Sequence, residues 1–201
     1  MRIAILGAGR VGTTLGARWT EVGHDVVYGV RDPADPKHGD LAAATTADAV
    51  SDADAVLLAL PWSSVEPVVT GLDLDGTTVI DATNPLAAGA RELESHPELS
   101  GAELVGGWAP GARVVKAFNT TGSGNMADPS YAAGAPAMFV AADDDDAKRT
   151  AMELAAAIGF DATDAGPLAA ARDLEHLAAL WIRLAYPLGN GPGIAFVLAR
   201  R

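Results

Sequence analysis

The sequence predicts an α/β fold: a doubly wound, mainly parallel sheet with a small α/β annex toward the C-terminus. Three observations carry the prediction. Short apolar runs, each the length of a buried strand, alternate with helix-like stretches through the first 120 or so residues. The first run breaks into glycines at G-x-G-x-x-G spacing. Polar or proline-containing turns recur where later runs end, at Leu60-Pro61-Trp62, Asn84-Pro85 and Asn119-Thr120-Thr121.

Ile3 to Leu6 is too short for a helix and fits a buried parallel strand. The loop Gly7-Ala8-Gly9-Arg10-Val11-Gly12 follows. Gly7 permits the sharp turn, Gly9 permits backbone to approach a pyrophosphate, and Gly12 permits close packing of the next helix. Val11, Leu15, Trp19 and Val22 recur at helical spacing, and Gly23 ends that helix. Its free N–H groups and positive dipole end then face the phosphates. A second strand, Asp25 to Val30, completes the context of a Rossmann-type dinucleotide site. The alternative is that the glycines serve only tight packing.

The end of the second strand selects the nucleotide. NAD-binding chains usually place Asp or Glu there for the ribose 2′-OH. This chain has Val30 at that position and Arg31 after it, a residue that pairs with a 2′-phosphate. Lys37 and His38 are candidates to add charge from the same loop, so the expected cofactor is NADP. Asp32 is the competing ribose acid, although Pro33 biases it toward an extended shape.

Leu41 to Val50 reads as a short helical stretch, and Ala55 to Leu60 as a third strand. Pro61 and Trp62 at its end are candidates to lie against the cofactor; the alternative for Trp62 is core packing. Val65 to Thr70 reads as helix and Thr78 to Asp81 as a fourth strand. Asn84 is a candidate ligand of a nicotinamide carboxamide or ribose, or else part of a local Asx-Pro turn. Residues 86–112 read as irregular, with one short helix near Arg91 to Leu99 and a Gly/Pro-rich loop at 106–111. Arg113 to Phe118 is a fifth strand. Residues 1–121 are expected to form the cofactor domain and 122–201 a small second domain completing the cleft, with 122–136 as linker. Ala137 to Ala141 then reads as strand, and Asp143–Asp146 as a helix start whose acids complement the dipole. Ala162 to Gly166 leads to Pro167, which suits a helix start, and a largely apolar last helix spans about 168–186, with Arg172, His176 and Arg183 on a narrow polar stripe. A glycine-dense tail follows. So apolar a helix must be buried, in the domain or against another subunit, and a homodimer is expected.

Composition narrows the function. The chain has 201 residues, 49% hydrophobic, with no cysteine and a net charge of −12. Thiol chemistry is excluded, and nucleic acid is an unsuitable partner for so acidic a chain. The histidines are scattered and suggest no metal site. No apolar run approaches the ~20 residues of a membrane span, and the chain enters a strand directly from its first residue, so a cytoplasmic protein is expected. No nucleophile–base pair or carboxylate pair stands out.

Taken together, Gly7-x-Gly9-x-x-Gly12, Gly29-Val30-Arg31, Leu60-Pro61-Trp62, Asn84-Pro85, Val114 to Asn119, Asp164 to Leu168 and Gly191-x-Gly193-Ile194 resemble the NADP oxidoreductases that depend on the deazaflavin coenzyme F420. They resemble more loosely the cytosolic domain of the six-transmembrane metalloreductases. The resemblance implies a Rossmann domain, a small C-terminal domain and hydride transfer in the cleft between them. Two positions depart from the family pattern. Val30 replaces a Ser common before the arginine, and Asn119 replaces a His of the deazaflavin branch, as in the metalloreductase branch. The resemblance implies coenzyme F420 as the second cofactor, and Asn119 leaves a flavin or another acceptor open in its place, expected between Asn119-Thr120-Thr121 and Pro192-Gly193. Two other functions compete: an NADPH-dependent reductase of a small imine or carbonyl, and a non-catalytic NADP(H)-sensing module.

Overall fold

The computed structural model describes residues 1–86 and 98–201. Among the described residues, eight strands form one sheet in the order β3-β2-β1-β4-β5-β6-β7-β8. They are β1 (Arg2–Leu6), β2 (Asp25–Val30), β3 (Ala43–Thr45), β4 (Ala55–Leu58), β5 (Thr78–Asp81), β6 (Arg113–Lys116), β7 (Ala137–Ala142) and β8 (Asp161–Gly166). The first six are parallel. β7 turns antiparallel to β6, and β8 runs parallel to β7. This is the doubly wound arrangement, with the order reversing between β1 and β4.

Among the described residues, seven α-helices flank the sheet: α1 (Arg10–Glu21), α2 (Thr46–Val50), α3 (Val65–Val69), α4 (Gly101–Trp108), α5 (Ser123–Ala127), α6 (Asp145–Ala157) and α7 (Ala171–Ala185). Alternate residues of β1 face opposite sides, so two cores form. Ile3 and Ile5 pack with Trp19 of α1, Met126 of α5 and Leu154 of α6. Ala4 and Leu6 pack with Val65 and Val69 of α3, Val105 of α4 and Ala171 of α7.

Four sequence expectations need correction. The stretch 41–50 contains edge strand β3 before α2. The irregular stretch contains α4, because Ser100 and Glu103 form a reciprocal capping box that starts a helix despite the glycines. The helix expected near 91–99 lies mostly outside the described residues. The linker contains α5, whose Asn125 and Met126 are buried. The run 162–166, read as a lead-in to Pro167, lies within strand β8. The aspartate run does start α6: Asp144 accepts the Ala147 N–H at 2.8 Å, while Asp143 accepts the Leu168 N–H at 2.9 Å. The expected 121/122 division falls between β6 and α5, and the strands on either side of it share the one sheet.

Candidate dinucleotide site

The carboxyl ends of β1, β2, β4, β5 and β6 lie along one edge of the sheet, and nearly every sequence-predicted cofactor residue is there. The glycine loop divides by role. Gly7 has φ +111°, and a Cβ on it would stand 2.5 Å from the Ala59 carbonyl oxygen. A Cβ on Gly12 would stand 2.1 Å from the Gly7 oxygen. These two glycines let α1 and β4 close on β1. Gly9 differs, because nothing lies within 4 Å of its Cβ position. It is the N-cap of α1, with no side-chain cap and no acid in the first turn. The first N–H groups of α1 thus have no side-chain cap and adjoin the open space at Gly9, an arrangement suited to an anion such as a pyrophosphate. Ala8 and Val11 are half-buried against the core, and Arg10 is exposed.

At the end of β2 the charged groups separate. Arg31 is exposed and has no side-chain partner among the described residues. Lys37 is ion-paired with Asp35. His38 is buried, with Nε2 3.1 Å from the Asp32 carbonyl oxygen, and so pins the loop. Asp32 spends Oδ1 on the Ala34 N–H at 3.1 Å. Val30 is buried in the core. Of the three basic groups in this loop, Arg31 is thus the one without a side-chain partner among the described residues.

Farther along the edge, Leu60 is half-buried and Pro61 exposed. The Trp62 ring stacks at a tilt on Trp108, centroids 5.4 Å apart. Pro85 is buried. Two bonds join Asn84 and Asn119: Asn84 Nδ2 donates to the Asn119 main-chain carbonyl and Asn119 Nδ2 to Asn84 Oδ1, both at 3.0 Å. Asn119 Nδ2 also donates to the Leu174 carbonyl at 3.1 Å, which ties the ends of β5 and β6 to α7. Asn119 reaches both because Phe118 takes φ +61°, a region bulky side chains avoid. The turn is held by the Phe118 N–H donating to Met138 Sδ at 3.1 Å and by edge contact with Trp19. Thr120 is buried and Thr121 half-buried, while Pro192 and Gly193 are exposed. Asn125 joins the two expected walls, with Nδ2 donating to Thr121 Oγ1 at 2.9 Å and to the Ile194 carbonyl at 2.8 Å. Trp181 Nε1 donates to the same carbonyl at 2.8 Å.

Sequence reasoning missed the charged cluster below this edge. Lys116 Nζ donates to Asp81 Oδ2 at 2.8 Å, Glu175 Oε1 at 2.8 Å and the Thr83 carbonyl at 2.7 Å. Burial pushes the Lys116 amine down, but the carboxylates of Asp81 and Glu175 outweigh it and hold the group above its ordinary value. The signal was present: charged residues ending two adjacent buried strands must pair. The polar stripe of α7 is a solvated edge, where Arg172 holds Glu103 with two bonds of 2.6 and 2.8 Å.

The family of NADP oxidoreductases, coenzyme F420-dependent, matches residues 2–85 of this chain. A structure from Arthrobacter sp. FB24, named as an F420-dependent NADP-reductase, is 31% identical with a TM-score of 0.87, covering 98% of this chain and 99% of that one. The chain belongs to this family. Its likeness extends to metalloreductase STEAP3 of Rattus norvegicus, 31% identical over 181 residues. That match covers 88% of this chain and 36% of the relative, so the chain spans about a third of STEAP3. A reductive aminase from Aspergillus terreus, in complex with NADPH4, cyclohexanone and allyl amine, shares the fold at 18% identity. Its TM-score is 0.66, over 94% of this chain and 62% of that one.

Proposed function

We propose that this family member is an oxidoreductase passing hydride between NADP(H) and a second ring cofactor, coenzyme F420 or a flavin. The observation that carries the reading is the open cradle at Gly9 with the unpaired guanidinium of Arg31 beside it. The N–H groups opening α1 hold the pyrophosphate. Arg31 holds the 2′-phosphate, a planar donor for an acceptor of matching geometry. Asn84, Pro85 and the loop after Phe118 form the floor for the nicotinamide. Thr120 and Thr121 on one side, and Pro192 and Gly193 on the other, enclose the second ring, with residues 122–201 completing the cleft. When bound, the two cofactors supply the redox chemistry, C4 of the nicotinamide exchanging hydride with C5 of the deazaflavin. The protein supplies stacking geometry and exclusion of water.

The test is NADPH oxidation with coenzyme F420, FMN or FAD, run beside a cyclic imine and a small ketone. Turnover with F420 or a flavin is expected, and Gly193→Leu should abolish it while leaving NADPH binding intact. NADPH oxidation with the imine or ketone alone would replace this reading by that of a carbonyl or imine reductase. Tight NADPH binding with no turnover would replace it by that of a sensing module.

A further inference from the structure

The most deeply buried charges among the described residues include the last residues of β5 and β6, just before the turns that form the proposed nicotinamide floor. Lys116 and Asp81 are fully buried and Glu175 is 4% exposed. Asp81 Oδ1 accepts the Thr83 N–H at 2.9 Å and the Thr83 hydroxyl at 2.7 Å, and its Oδ2 accepts from Lys116. Glu175 Oε1 accepts from Lys116, and its Oε2 accepts the Gly101 N–H at 3.1 Å. Every carboxylate oxygen of the two acids receives a donor. One ammonium therefore faces two carboxylates, leaving one net negative charge in the interior. The N-terminus of α4 meets Glu175 and offsets at most about half a charge.

A second carboxylate is more than neutralisation of Lys116 requires, and a buried charge is costly to keep. The cluster is coupled to the edge through Thr83, which bonds both Asp81 and Lys116 and immediately precedes Asn84. It also adjoins Trp62: a Cβ on Gly101 would stand 3.1 Å from both Glu175 Oε1 and the Trp62 ring.

We propose that the net negative charge of Asp81, Lys116 and Glu175 biases the site toward the oxidised cofactor. The pyridinium ring of NADP+ is cationic and that of NADPH is neutral. A buried anion below the ring therefore stabilises the first and is nearly indifferent to the second. The inference rests on reading this edge as the nicotinamide site. The bias acts through space, so the cluster needs no contact with either ring.

The test is direct titration of NADP+, NADPH and 2′,5′-ADP, which lacks the nicotinamide, into the native protein, Glu175→Gln and Asp81→Asn. Each variant neutralises the cluster. The Kd for NADP+ should rise roughly three- to tenfold, with NADPH and 2′,5′-ADP changing less than about twofold. A merely structural role would weaken all three together, and that result overturns the proposal while the proposed function stands. If the native protein binds neither NADP+ nor NADPH, the proposed function itself falls, and the charge bias falls with it. Should one variant fail to fold, the other carries the test. If both fail, the native protein carries it alone: NADP+ must bind no more weakly than NADPH, and the reverse order overturns the proposal.

Discussion

At the scale of single residues, the glycine loop separates structure from binding. Gly9 and Gly12 belong to one sequence motif, yet a Cβ meets nothing at Gly9 and a carbonyl oxygen at Gly12. Gly9 sits at φ −82°, ψ −176°, extended backbone open to any residue. Gly9→Ala should therefore leave thermal stability within about 0.5 kcal/mol of native, yet weaken NADPH binding by placing a methyl in the cradle. Gly12→Ala should lower the melting temperature as well, since α1 must move off β1. Equal stability losses in the two variants would show that Gly9 is a packing glycine. Arg31→Ala makes a second prediction. A charge-assisted hydrogen bond contributes ~1.5–3 kcal/mol, so NADPH affinity should fall roughly 10- to 150-fold while NADH affinity stays nearly constant. Equal losses for both cofactors would assign Arg31 a structural role.

At the scale of elements, α4 shows what a composition-led reading overlooks. Its glycines resemble loop, but Ser100 and Glu103 cap each other and Glu103 also grips Arg172 of α7. The Arg172 guanidinium, with the Ser100 hydrogen bonds, holds the Glu103 carboxyl down to about 2, from an ordinary 4.5. A carboxylate with a depressed pKa adds stability that is present above its unfolded value and lost as the acid titrates. Glu103→Ala should therefore cost about 1–2 kcal/mol at pH 7, from the cap and a half-exposed ion pair. The difference should fade between about pH 4.5 and pH 2. Urea melts across that range check it, and a pH-independent difference would remove the ion pair from the account. β3 and β8 were illegible for another reason. Both are edge strands, three residues long in one case and rich in Asp and Ala in the other, so neither carries the apolar run that marks a central strand. The buried strands β1, β2, β4, β5 and β6 were legible because both faces are covered.

At the scale of the whole molecule, the parallel half of the sheet builds the phosphate cradle, while the antiparallel turn into β7 brings Met138 under Phe118 and the tail back to Asn125. The cradle follows from local spacing and could be read from the sequence. The amide pair, the charged cluster and the Ile194 anchor join residues 35 to 69 positions apart, and no local pattern reports such contacts. One feature remains uncovered in the single chain. Leu177, Leu180 and Leu184 recur along α7 at helical spacing, and Leu188 extends the stripe past its end. Leu180 is 45% exposed, Tyr186 61% and Leu188 63%. Exposed apolar side chains gathered at one place mark an interaction surface, and we propose that a second copy of this chain covers it. Leu180 is already half in solvent in one chain, so Leu180→Glu should leave the melting temperature of the monomer nearly unchanged. It would, however, bury a carboxylate in the joined pair. Sedimentation at micromolar concentration should show a dimer for the native protein and a monomer for the variant. A native monomer under those conditions, or a variant that still pairs, removes α7 as the interface.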